Sequence, residues 1–170
     1  LYALHLHDQH RGSTLLPDAL AAYHAQVDPT ADASPWGLPA SELTGAHEWA
    51  AVPRGCALAW TVQYLAPVEP TYARAVWKPF QRQFQVVVPP LSGLREWPLG
   101  EDRPPDDDSG PIVMGIGAAA TAFGIGAAHA LDDAVATSQL EATEWLVRKQ
   151  GHPAGDSALA VAITAASRRR

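Results

Sequence analysis

Cysteine is nearly missing from this sequence of 170 residues: Cys56 stands alone. That excludes an internal disulfide framework and any zinc or iron–sulfur site built from several thiolates. Basic residues are also short. Twelve Lys and Arg face eighteen Asp and Glu, a net charge of −6, and the one basic cluster is Arg168-Arg169-Arg170. Phosphate binding needs a basic face, so this balance argues against a nucleic-acid partner. Alternating β-branched runs are absent apart from the short candidate Val86-Val87-Val88. Residues 1–10 (LYALHLHDQH) carry no n-region and no cleavage-site pattern, so no signal peptide is visible, and a cytoplasmic or membrane-associated location is expected. The start at Leu1 without Met and the abrupt SRRR ending lead us to expect more chain beyond these residues.

What is present is apolar. Hydrophobic residues make up 47% and charged residues 18%, which predicts a packed core of one domain or part of a larger one rather than disorder or coiled coil. Alanine recurs at helical spacing. We read helices over residues 1–10, 17–28, 55–66, 69–86, 111–131, 134–150 and 156–167. The Pro17-Asp18 start, the Pro53-Arg54-Gly55 breaker, the Glu69-Pro70 start and the Gly151/Pro153 stop punctuate them. Pro79 is expected to kink or split its segment.

These segments alternate in character. Residues 55–66 (GCALAWTVQYLA) carry no charge, and residues 111–131 carry none apart from a terminal His. Residues 69–86 and 134–150 are amphipathic, with Arg74, Lys78 and Arg82 spaced by four. A helix apolar all round must be enclosed, and an amphipathic one covers it. Inner and outer helices therefore alternate, joined by short turns at 67–68 and 132–133 and by long connections at 29–54 and 87–110. Hairpins recurring about every 55 residues predict an all-α fold of the (α/α)-toroid type. Its long loops share one face, and long loops are where chemistry is expected. A transmembrane helix over 110–130 is the alternative. Its acidic flanks, Asp106–Asp108 and Asp132-Asp133, and its lack of Lys/Arg anchors weigh against it.

The candidate chemistry sits in those loops. Asp106, Asp107 and Asp108 repel one another, and packing against a cavity would raise at least one of them into general-acid range. Asp108 or Ser109 can equally serve as a helix N-cap, with Pro111 near N1. In the first loop, His47 beside Glu48 offers an acid/base partner. Cys56, at the start of an inner helix, is placed for a lowered pKa, or else is a small buried hydrophobe. Arg54, Arg95 and Glu96 are candidates for orienting a substrate, and Trp49 and Trp97 for its walls. Trp36 could line the same pocket, whereas Trp60 and Trp77 read as packing. His5, His7 and His10 tempt a metal reading, but His5 and His7 diverge by about 200° on a helix, and no third ligand stands at a diagnostic spacing. The pairs Gly115/Gly117 and Gly124/Gly126 sit in a helical run with no preceding strand. Close helix approach explains them better than a dinucleotide fingerprint does.

The stretches LREWP…DDDSGPIVMGIGAAATAFGIGAAHALDD and VPRGCALAWTVQYLAPVEPTYARAVWKPF, within residues 45–150, resemble bacterial (α/α)-barrel proteins of the linalool dehydratase/isomerase-like kind. The resemblance implies a central cavity lined by the starts of inner helices. It also implies cofactor-free acid/base hydration, dehydration or isomerisation by Asp, His, Tyr and Cys residues. Cys56 and one aspartate from 106–108 are the counterparts it suggests, although a single Cys departs from a site that uses more than one. A full barrel of that kind has about twelve helices, so this chain would form part of a ring, completed by self-association or further chain. The expected function is an enzyme acting on a small apolar or polyol-like substrate with no cofactor and no metal. A non-catalytic binding or membrane-associated helical protein is the alternative.

Overall fold

The computed structural model describes residues 1–42, 52–89, 91–101, 103–105, 109–113 and 115–149. Among them the fold is mostly helical with a small antiparallel sheet portion, so the all-α expectation holds only at the coarser level. The expected helix 156–167 lies outside the described residues.

The first hairpin pairs α1 (Tyr2–Arg11) with α2 (Leu16–Ala33). Gly12 ends α1 in the left-handed region at φ 66°, a conformation glycine adopts at little cost. Asp8 then caps the next helix, accepting the Leu16 N–H at 2.8 Å. Helix α2 does not stop at residue 28 as expected but runs through Pro29 to Ala33. Its last turn is fastened by Thr30, whose hydroxyl donates to the Val27 carbonyl at 2.6 Å and accepts the Ala40 N–H at 2.9 Å.

Helix α3 (Gly55–Leu65) and helix α4 (Pro70–Phe84) form the second hairpin. Ala73, Val76, Trp77, Phe80 and Phe84 make the buried face of α4, at the three- and four-residue spacing of a helix that covers a core. Pro79 sits inside α4 without splitting it. The helix passes directly into β1 (Gln85–Val88), which pairs antiparallel with β2 (Leu91–Leu94). The Val86–Val88 candidate is thus a strand, and the expected loop 87–110 begins as a hairpin.

The long apolar run 111–131 is not one helix. It makes β3 (Ile112–Val113) and β4 (Ile116–Gly117) before α5 (Ala118–Ala130) begins, and α6 (Ala134–Lys149) follows. Gly115, at φ 79°, makes the turn between the two strands. The carbonyls of Pro111 and Ser109 accept the Ala118 and Ala119 N–H groups at 3.2 and 3.3 Å. Backbone therefore satisfies donors at the start of α5, and the expected N-cap at Asp108 or Ser109 with Pro111 at N1 is corrected. With α5 only thirteen residues long, the membrane alternative loses its span. Among the described residues no helix is long and apolar enough to cross a membrane.

Helices α3 and α5 pack side by side as expected of inner helices, and α4 and α6 each lie against one of them. Strand β2 lies against α5 and α6. Its Leu94 N–H donates to Thr121 Oγ1 of α5 at 3.0 Å, and its Ser92 N–H donates to Thr143 Oγ1 of α6 at 2.6 Å. A buried strand edge is thereby satisfied by threonine hydroxyls. Gly124 admits this close approach, because a Cβ there would lie 2.1 Å from Leu94 Cδ1. Gly115 makes the strand turn, Gly117 ends β4 against Glu96, and the nearest neighbour at Gly124 is Leu94 of β2, so the expectation of close helix–helix approach is corrected at these positions.

Candidate functional site

Five of the expected site residues come together where β2 ends beside the start of α3. Arg54 is the N-cap residue of α3, and Cys56 stands in its first turn. Glu96 follows β2 by two residues, and its main-chain carbonyl accepts the Gly55 N–H at 2.8 Å. This approach requires glycine at 55, since a Cβ there would fall 2.0 Å from the Arg95 carbonyl oxygen. Gly117, at the start of α5, lies on the other side, where a Cβ would come 3.2 Å from Glu96 Cβ.

The Glu96 side chain is fully enclosed, with 0% exposure. Its Oε1 accepts Arg54 Nε at 2.9 Å and the Cys56 thiol at 3.0 Å, and its Oε2 accepts the Cys56 N–H at 3.3 Å. A carboxylate from just past the end of β2 thus occupies the positive end of α3, where an anion is stabilised. Burial pushes the Glu96 carboxyl above its usual range, against the pull of the Cys56 hydrogen bond and the Arg54 charge. The Cys56 thiol is driven up as well, first by burial and then by the charge of Glu96, with Arg54 opposing. That corrects the expectation of a lowered pKa: Cys56 is a protonated thiol that donates a hydrogen bond, not a thiolate nucleophile.

Trp97 forms the outer side of the cluster. The Arg54 guanidinium lies 5.5 Å from its ring centroid and that of Arg103 lies 5.3 Å away, both within cation–π range. Its Nε1 is shielded from solvent and has no hydrogen-bond partner among the described residues. Arg95 is turned to the backbone, with Nε on the Trp97 carbonyl at 3.1 Å and Nη2 on the Glu101 carbonyl at 3.3 Å. It shapes the chain around Trp97. Ser41 Oγ accepts the Arg54 N–H at 2.7 Å, which ties the segment after α2 to this cluster. His47, Glu48, Trp49, Asp106, Asp107 and Asp108 lie outside the described residues.

The other expected aromatics fall elsewhere. Trp77 is buried and donates to Asp133 Oδ2 at 2.9 Å, as packing predicts. Trp60 does not follow that expectation: it is 53% exposed and stacks on Phe123 at 5.3 Å. Trp36 packs half-buried against the core. On helical α1, His5 contacts Gln9 and His7 contacts Ser13, and no group of three metal-ligating side chains forms among the described residues. An open groove of about 740 Å³ lies at the α5–α6 turn beside His129, Asp132, Glu141 and Trp145, and shares no residue with the Glu96 cluster.

A second polar cluster escaped the sequence reading. His24 and Asp28 of α2 meet Glu69 and Tyr72 at the start of α4. The spacing of His24 and Asp28 by four residues was a visible signal, but nothing local pointed to Glu69. Comparison of the chain with protein-family models, curated proteins and solved structures finds no match in any of the three.

Proposed function

We propose that the protein is an enzyme carrying out cofactor-free acid/base chemistry on a small molecule, with the Cys56–Glu96 pair as its proton-handling group. The observation that supports this is the 3.0 Å contact between a protonated thiol and a fully enclosed carboxylate that also accepts Arg54. Two titratable groups whose environments move both away from their ordinary values, held on one hydrogen bond, are the usual basis of acid/base assignments. Cys56 retains slight exposure and Glu96 none, so the thiol meets the substrate and Glu96 acts through it by receiving or returning the proton. Arg54 holds the carboxylate in place. Trp97 offers a flat wall for an apolar or polyol-like substrate. A dehydratase, isomerase or hydrolase reaction fits this set, and the sequence resemblance to (α/α)-barrel dehydratase/isomerase-like proteins points the same way. In this reading the three hairpins are part of a ring, and Asp106–Asp108, His47 and Glu48 remain candidates for the opposite face of the reacting carbon.

The same contacts support a second reading, in which Glu96 is a structural lock. A buried carboxylate that accepts an arginine, a thiol and a helix N–H fastens β2 to α3 with no chemistry required. Cys56→Ala separates the two. Incubating the protein in D₂O with a panel of small allylic alcohols and diols, followed by mass spectrometry for water loss or deuterium uptake, reads turnover directly. The enzyme reading expects turnover that drops at least about a hundredfold in Cys56→Ala, in a protein that stays folded and loses only the stability of one buried hydrogen bond, about 1–3 kcal/mol. Full turnover in Cys56→Ala removes the thiol from the chemistry, and a panel that yields none leaves the lock as the better account.

A further inference from the structure

We propose that His24, Asp28, Glu69 and Tyr72 form a pH-sensitive clasp that holds the α1–α2 hairpin on the start of α4 and releases it as the pH rises. The geometry carries this. His24 Nδ1 lies 3.1 and 3.2 Å from the two Asp28 oxygens, and its Nε2 lies 2.8 Å from Glu69 Oε2. Carboxylates accept hydrogen bonds and do not donate them. A neutral imidazole has one N–H, so it can serve one carboxylate while presenting a lone pair to the other. The imidazolium has two N–H groups and serves both. The contact set is therefore complete only when His24 is charged.

The surroundings reinforce the point. Tyr72 Oη donates to Asp28 Oδ1 at 2.9 Å, and the Tyr72 ring meets the His24 ring edge-on at 4.6 Å. Tyr23 completes the group, 5.6 Å from His24 and 6.3 Å from Tyr72. The titratable groups facing His24 are thus Tyr23 and Asp28 on its own helix, with Glu69 and Tyr72 at α4. Tyr23 is pushed up to about 12, by burial and then by the Asp28 charge, and Tyr72 is also raised, first by burial. Neither phenol ionises before His24 loses its proton. Burial alone would lower His24, but its hydrogen bonds to Glu69 and Asp28 and their charges outweigh it, so the net direction is upward.

A histidine raised in the folded state contributes stability that is fully present below its unfolded value near 6.5 and lost as the pH climbs through the folded value. The hairpin is sensitive to that loss because its apolar anchorage is slight. Helix α1 buries no residue and α2 buries only Val27 and Thr30. Beyond the clasp, Tyr2 against Tyr64 is an edge contact between rings 5.6 Å apart.

Hydrogen exchange of the whole protein tests the clasp, with protection factors corrected for intrinsic rate at pH 6 and pH 9. We expect α1–α2 protection to fall about tenfold or more relative to α3 and α5 over this range. In His24→Gln the hairpin should be weakly protected at both pH values. In Glu69→Gln the transition should move to lower pH, because one of the two carboxylates no longer holds the proton. The His24 ring resonances of the wild-type protein, titrated by NMR, give the midpoint even if a variant fails to fold. A wild-type hairpin whose protection does not change with pH, a transition that survives in His24→Gln, or a His24 midpoint at or below 6.5 would each overturn the proposal.

Discussion

Glu96 owes its burial to three partners that a carboxylate requires and one helix end supplies. Taking an ion out of water costs several kcal/mol, and the cost is offset only when the remaining lone pairs are filled. Arg54 Nε, the Cys56 thiol and the Cys56 N–H fill them. Removing one member of such a pair strands the other. Arg54→Ala is therefore expected to destabilise the fold by about 3–5 kcal/mol, and Glu96→Leu by a similar amount, whereas the double replacement Arg54→Met/Glu96→Leu should recover much of the loss. Chemical denaturation of the three variants measures this, and additive losses would contradict a coupled pair. At this scale the sequence was partly legible. Arg54, Cys56, Arg95, Glu96 and Trp97 stood out by residue type and loop position, and they do gather at one place. Their roles were not legible. The pairing of Glu96 with Arg54 spans 42 positions, and no local pattern reports which helix start a distant carboxylate will reach. The thiol went the wrong way for a related reason: a helix N-terminus argues for a lowered pKa, but burial and then the neighbouring carboxylate reverse it.

Among the elements, the sequence marks boundaries where Pro and Gly break a pattern and blurs them where an apolar run has no polar punctuation. Pro17, Gly55 and Pro70 sit at the helix starts they announced, in α2, α3 and α4. Residues 111–131 have no polar punctuation and their glycines read as close helix approach, so their division into β3, β4 and α5 was hidden. The signals were Ile112, Val113 and Ile116, β-branched residues flanking Gly115, whose φ of 79° makes it a turn residue. Two glycines give a graded test of close packing. A Cβ at Gly55 would meet the Arg95 carbonyl oxygen at 2.0 Å, while a Cβ at Gly124 would meet Leu94 Cδ1 at 2.1 Å. A backbone carbonyl held in a hydrogen-bonded crossing cannot step aside, but the end of a leucine side chain can rotate. Gly55→Ala should thus cost about 3 kcal/mol or prevent folding, and Gly124→Ala about 1–2 kcal/mol, as overpacking usually does. Thermal denaturation of the two proteins side by side checks the order, and an equal loss would count against a rigid crossing at Gly55.

Across the whole molecule, stability is unevenly spread. The enclosed pair α3 and α5 supplies about half of the core residues, α4 adds Trp77, Phe80 and Phe84, and α6 and β2 close over them. The α1–α2 hairpin is joined by rings and ion pairs at its rim. Amides of α3 and α5 should therefore exchange slowest, near the rate of global unfolding, and those of α1 fastest, at neutral pH. Residue-resolved hydrogen exchange measures this, and an α1 as well protected as α3 would show an anchorage the fold does not provide. The alternation of enclosed and covering helices was legible because charge disappears entirely from α3 and nearly so from α5. The strand that lies against α5 and α6 was not, because β2 carries only four residues and its partners there are threonine hydroxyls on the two helices that follow. One further consequence lies in the crossing of Gly55 and Glu96, whose main chains are hydrogen bonded. Between these residues the chain traces a closed circuit: it leaves the crossing along α3 and returns to it along β2. Its two ends are neighbours in space, the condition under which a segment tolerates being re-cut and re-joined in a new order. The α3–α4 turn is the far point of that circuit, so extra residues inserted there would lengthen its perimeter and leave the crossing that holds Glu96 untouched.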